Sequence, residues 1–163
     1  HQRVAAGVEA ITSIFDVRAN YYNALSGRKT NDSGTIERAM DGWDLRADYH
    51  LPIKQDVNIF VSAFEFENPE SASSYKETGN KYGADAKLGN FLLEGGYQDD
   101  NQANDYWFGN ITYVVKFWSG EKDTSSNSTS LTDVSDKLYQ PVKRENKIRV
   151  VKISASGLVA GGF

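Results

Sequence analysis

The stretch GWDLRADYHL, Gly42–Leu51, decides the fold class. Trp43, Leu45, Ala47, Tyr49 and Leu51 alternate with Asp44, Arg46, Asp48 and His50. Successive side chains of a strand point to opposite faces, so this period makes one apolar face and one charged face. Pro52 ends the run, because proline has no N–H to give to a ladder.

The same period recurs outward in both directions. Val4–Thr12 and Ile14–Asn23 read as strands; in the second, Phe15, Val17, Ala19 and Tyr21 oppose Asp16, Arg18 and Asn20. Val57–Glu67 is a strand with weaker alternation, and Lys81–Leu88 alternates again. Gly89-Asn90 is a tight-turn signal joining it to Phe91–Gln98, and Tyr106–Trp118 follows as a long strand. Asn146–Ser154 reads as extended, and Lys147–Ser156 is an optional eighth strand that would close the sheet on itself. Ser26–Asp41, Asn68–Gly79 and Asp99–Asp105 read as long polar loops, whereas Thr12–Ser13, Pro52–Asp56 and Gly89-Asn90 are short. Long and short connections therefore alternate, and an up-and-down meander puts all the long ones at one end. Ser119–Thr132 is a Ser/Asn-rich linker, Leu131–Asp136 reads as one helical turn, and Ser154–Phe163 carries no clear pattern. The expected fold is all-β: an antiparallel up-and-down β-barrel or partial barrel meander of seven or eight strands over residues 1–118, with a linker and extended C-terminal segment over 119–163.

Bulk properties exclude more than they assign. The chain has 163 residues, no cysteine and a formal net charge of −4, so disulfides, thiolate metal sites and a broad nucleic-acid-binding surface are not expected. No run of about 18 apolar residues exists to cross a membrane as a helix. Strands that alternate average out as polar, so the mean hydropathy of −0.55 does not bear on a membrane barrel. The first residue is His1 rather than Met, which reads as a processed or excised piece of a longer chain. Period two is blind to which face is inside. A soluble barrel would bury the apolar faces and a membrane barrel would turn them to lipid. Aromatics near strand ends (Tyr21, Trp43, Tyr49, Tyr82, Tyr97, Trp107, Phe117) suit interfacial girdles, and the mixed charges of the polar faces suit an enclosed interior.

Candidate chemistry is thin. His50 sits among Asp44, Arg46 and Asp48, where an acid/base role competes with the plainer reading of a lumen or surface histidine. Asp44 and Asp48 are about 13 Å apart at strand rise, too far for the roughly 5–10 Å of a glycosidase pair; they read as flanking Arg46 in an ion-pair ladder. Asp99, Asp100 and Asp105 lack calcium-loop spacing and read as a solvated loop. Gly95-Gly96 has no helix after it, which leaves a strand bend or close packing rather than a phosphate loop. Lys143-Arg144-Glu145 is a solvated charge run by default. Aromatic faces would also suit a soluble ligand-binding barrel. The chain is read as no enzyme, with no cofactor and no metal.

Three segments carry a family resemblance. DGWDLRADYHLP, Asp41–Pro52, is similar to the Asp-Gly-Trp-Asp-(Leu/Val)-Arg-Ala-(Glu/Asp) strand of inverse autotransporters, the translocators of intimin/invasin-type adhesins. FDVRANYYNALSG, Phe15–Gly27, is similar to that family's Asn-Tyr-Tyr strand and loop, with Arg18 where serine is frequent and Ala24 where proline is. LTDVSDKLYQPVKRENKIRVVK, Leu131–Lys152, resembles the linker after the barrel through Tyr139, Val142, Arg144, Asn146 and Ile148. The resemblance implies a barrel in the outer membrane of a Gram-negative bacterium that exports a passenger adhesin held in cis. Its partners would be outer-membrane lipid and that passenger, with no nucleic acid. The lumen face would carry Arg18, Asp44, Arg46, Asp48, Asp85 and Lys87, and Tyr139, Arg144 and Asn146 would lock the linker against the wall. The family barrel usually has about twelve strands, so a shorter meander implies either part of such a barrel, able to self-associate through open strand edges, or a small closed relative of eight strands.

Overall fold

The computed structural model describes residues 1–53, 55–70, 75–102, 105–113, 115, 144, 148–154 and 157–159. The main sheet is an antiparallel meander. Its strands are β1 (Arg3–Ile11), β2 (Phe15–Ala24), β5 (Asp41–His50), β6 (Asp56–Glu67), β7 (Lys76–Leu88), β8 (Phe91–Asp100) and β9 (Tyr106–Tyr113), each hydrogen-bonded to the next in that order. The sheet is open. Among the described residues, β1 pairs only with β2 and β9 only with β8.

Local chemistry sets the short turns. At the β1–β2 turn, Thr12 Oγ1 accepts from the Phe15 N–H at 2.9 Å. The Thr12 N–H donates to Asp16 Oδ1 at 3.1 Å. Gly89 has φ 60°, the left-handed conformation that a two-residue hairpin turn demands.

Two short strands, β3 (Lys29–Thr30) and β4 (Ile36–Ala39), lie within the stretch expected to be loop. Asn31 folds the chain between them: its Oδ1 accepts from the N–H groups of Ser33 and Thr35 at 3.0 and 2.9 Å. Gly34 supplies the positive φ of 79°. Strand β10 (Val150–Ser154) does not close the main sheet as an eighth strand. It pairs antiparallel with β4 and with β11 (Gly157–Val159), giving a second sheet in the order β11-β10-β4-β3. Part of the tail expected to be patternless is thus a strand. Strand β7 begins at Lys76, five residues before the expected start at Lys81, because Lys76–Asn80 pairs with Ala63–Glu67 without any apolar signal of its own. The helical turn expected at Leu131–Asp136 lies outside the described residues, as does the end of the strand expected to reach Trp118.

The sheet curls toward its polar face. Arg46 of β5 donates to Glu94 of β8 at 3.1 Å. Three flat strand spacings would separate those backbones by about 14 Å. Phe60 of β6 and Phe108 of β9 likewise meet at 6.4 Å between centroids. Gly83 and Gly96, opposite each other, make room for this bend: a Cβ on Gly96 would lie 3.0 Å from the Gly83 Cα. Of the Gly95-Gly96 pair, Gly96 is thus closely packed, whereas a Cβ on Gly95 would meet only the Phe108 carbonyl oxygen at 3.6 Å.

Candidate functional site

Burial answers what periodicity could not. Along β2 the charged and polar residues Asp16, Arg18, Asn20 and Tyr22 are buried, while Phe15 and Tyr21 are exposed. In β5, Trp43, Leu45 and Tyr49 are 40%, 45% and 44% exposed, and Asp48 is 1% exposed. The hollow side is the polar side, and the outward side is apolar.

That outward side is ordered. Aromatic residues stand six positions apart on four strands: Phe15 and Tyr21, Trp43 and Tyr49, Phe91 and Tyr97, Trp107 and Tyr113. Six residues span about 20 Å along a strand. The rings pair across the ladder: Tyr97 meets Tyr82 at 5.6 Å and Trp107 at 5.3 Å, and Phe91 meets Tyr113 at 5.0 Å. Ala19, Leu45, Ala47, Val61, Ala84, Leu93 and Ile111 lie between the two aromatic rows.

The concave face has two halves. Toward the tight turns it carries an ion ladder crossing most of the sheet. Arg18 pairs with Glu9 and Asp16, each at 3.3 Å, and with Asp48. Arg46 pairs with Asp48 at 2.8 Å, Asp85 at 2.7 Å and Glu94 at 3.1 Å. His50 Nε2 lies 2.9 Å from Asp16 Oδ2, its Nδ1 meets Asn58 Oδ1, and the Asn58 amide donates to Asp85 at 2.8 Å. Both ring nitrogens of His50 are therefore engaged inside the ladder. Charges this enclosed are tolerated only when paired, and each arginine here satisfies several carboxylates at once.

Of the polar residues picked from sequence, Arg18, Arg46, Asp48 and Asp85 come together in the ladder. Asp44 shares the face but does not flank Arg46: it accepts from Asn20 Nδ2 at 2.9 Å and from the Tyr22 hydroxyl. Lys87 stands on the same face opposite Asp56 but is exposed at the turn end. Tyr139 and Asn146 lie outside the described residues, and Arg144 is exposed. Asp100 and Asp105 take backbone N–H groups of the β8–β9 loop. No group of residues suited to hold a metal ion occurs among the described residues.

Toward the long loops the concave face is aromatic. Tyr22, Met40, Phe64, Phe66 and Val151 form a buried cluster, with Tyr22 and Phe66 at 5.6 Å and Phe64 and Phe66 at 6.1 Å between centroids. Two glycines leave space for the rings: a Cβ on Gly42 would strike the Phe66 ring, and one on Gly79 would lie 2.6 Å from Phe64 Cζ. The cluster holds two guanidinium groups. Arg3 lies 4.2 Å over the Tyr22 ring; Arg149 lies 4.2 Å over Phe64 and 4.9 Å over Phe66 and pairs with Glu77. The Arg149 carbonyl accepts from the Met40 N–H at 3.0 Å, continuing the β10–β4 ladder. Sequence reading missed Arg149 and the three inner-face aromatics of β6, Phe60, Phe64 and Phe66. The weak alternation of Val57–Glu67 was their signal, since that strand is apolar on both faces.

An open antiparallel meander with an apolar exterior and a charged, hollow side is the arrangement of an outer-membrane barrel wall. The family model of the inverse autotransporter β-domain matches residues 1–146. This chain belongs to the inverse autotransporter β-domain family. Members of that family are outer-membrane translocators of Gram-negative bacteria. No curated protein matches the chain significantly.

Proposed function

We propose that this chain is wall and linker of an outer-membrane barrel that exports a surface adhesin and anchors it, with no catalytic step. Residues 1–118 supply the wall and 119–163 the linker and extended segment leading to a passenger held in cis. The concave face, with Arg18, Arg46, Asp48 and Asp85, lines the lumen; the outward face meets lipid. The observation that carries this reading is the inverted burial, with Trp43 40% and Trp107 80% exposed while Asp16 and Asp48 are 1% exposed. A soluble ligand-binding barrel would have the opposite pattern. Unpaired strand edges are not tolerated in lipid, so β1 and β9 would be paired there by further strands of the barrel or by a second copy.

Brominated phospholipid in reconstituted bilayers tests the reading. Trp43 and Trp107 fluorescence should be strongly quenched. Undiminished emission, or a monodisperse protein in plain buffer, would count against insertion. Display of a passenger is checked in cells: an epitope placed after Phe163 should be reached by antibody from outside.

A further inference from the structure

We infer that the aromatic cluster of the concave face is a guanidinium-binding cradle, and that occupation of it by Arg149 sets the register at which the C-terminal segment comes to rest. This rests on the translocator reading. Four features meet at the site. Phe64 and Phe66 stack on the Arg149 guanidinium at 4.2 and 4.9 Å. Glu77 faces it across β7 and completes an ion pair. Gly42 and Gly79 lack the side chains that would push the rings out of place. Two residues on, Val151 is fully buried in the same cluster.

Backbone pairing alone does not give one answer. A strand that slips by two residues keeps every side chain on its face and every ladder bond replaceable. Slipped by two toward the lumen, β10 would present Ile153 where Val151 sits, an aliphatic residue of similar shape. Nothing in the slipped segment would replace Arg149, because position 151 is valine. The planar, delocalised guanidinium fits stacked rings and a carboxylate together, which an ammonium or an aliphatic side chain does not. The cradle therefore distinguishes one register from its neighbours, and Arg149 acts as a positioning residue.

These 163 residues contain no cysteine, so engineered pairs within them meet no competing thiol of their own. Lys152 lies opposite Glu37 in the β10–β4 ladder. Glu37→Cys with Lys152→Cys should cross-link in the full-length protein in outer membranes, as directly opposed strand residues have disulfide-compatible spacing. Moving the guanidinium by Arg149→Ala with Val151→Arg should shift the chain by two residues, about 7 Å at strand rise. The cross-link to Glu37→Cys should then pass from Lys152→Cys to Ser154→Cys. Should the double variant fail to assemble, Arg149→Ala alone serves: both cysteine positions should cross-link, reporting a lost register. A cross-link that stays with Lys152→Cys alone, in either variant, overturns the proposal. The epitope placed after Phe163 separates the two readings: no antibody access from outside defeats the translocator reading itself, whereas access with an unmoved cross-link defeats only the cradle.

Discussion

The two halves of the concave face solve the same problem by different means. At the turn end, five carboxylates, two arginines and a histidine satisfy one another among the barrel strands alone. At the loop end, three aromatic rings and Met40 are closed over by Arg149 and Val151, which belong to the C-terminal segment. The first half is complete without that segment; the second is built around it. The ladder thus belongs to the wall and the cradle to whatever passes the wall. A charged lining offers an extended chain no lasting apolar contact, whereas buried rings hold it.

Removing Asp48 should have the largest effect. Its carboxylate is shared by Arg18 and Arg46. Asp48→Ala would leave two enclosed guanidinium groups short of a partner and should destabilise the barrel by about 3–5 kcal/mol. The denaturation midpoint in detergent measures this, and the position of the C-terminal segment should not change. Phe66→Ala should come next, at about 3 kcal/mol for the lost ring and its cavity. Here limited proteolysis should release the C-terminal segment before the barrel unfolds, which would be absent if the two halves behaved alike. Leu45→Lys places a charge between the aromatic rows on the outward face. It should lower bilayer stability by about 2 kcal/mol or more, while Ser62→Glu on the concave face, opposite Arg46 and Lys81, should be tolerated. Equal effects of the two charges would remove the distinction between faces.

The smallest effect concerns the loops above the cradle. Glu70 takes Arg28 Nε at 2.9 Å and Arg38 at 2.9 Å, tying the first long loop to the second. The hydrogen bond from Arg28 is the main cause of a carboxyl held below its ordinary range. A lowered pKa in the folded state means that the latch contributes fully above the ordinary glutamate value of about 4.3. The contribution fades as pH falls through the lowered value. Hydrogen exchange of the β3–β4 hairpin should accelerate in that acidic window, and Glu70→Gln should abolish the pH dependence.

How much of this was legible in sequence follows from the range of the interactions. Gly42–Leu51 could be read alone because alternation is local, and Gly89-Asn90 because a turn needs only two residues. Strand β6 was blurred by apolar side chains on both faces, Ile59 and Val61 outward, Phe60, Phe64 and Phe66 inward. The β3–β4 hairpin hid in a polar stretch although Asn31 and Gly34 marked its turn, because four residues of β4 are too few to display a period. Arg18 was legible as a polar-face residue of its strand and as a departure from the family's serine; its role as a ladder hub needed Glu9 and Asp48 from neighbouring strands. Arg149 was illegible for the same reason, more severely: its partners on β6 and β7 lie more than seventy residues earlier in the chain.

The constant six-residue interval between outward rings has a consequence for where such a sheet can live. Four strands of unrelated sequence keep that interval, so along them the oily belt has nearly one height, set by about 20 Å of strand and reduced by tilt. A bilayer thicker than the belt must thin beside it or leave hydrocarbon against polar side chains, at a fraction of a kcal/mol per ångström. The protein is in effect a gauge: acyl-chain length alone should sort it, and it should insert fastest into thin membranes.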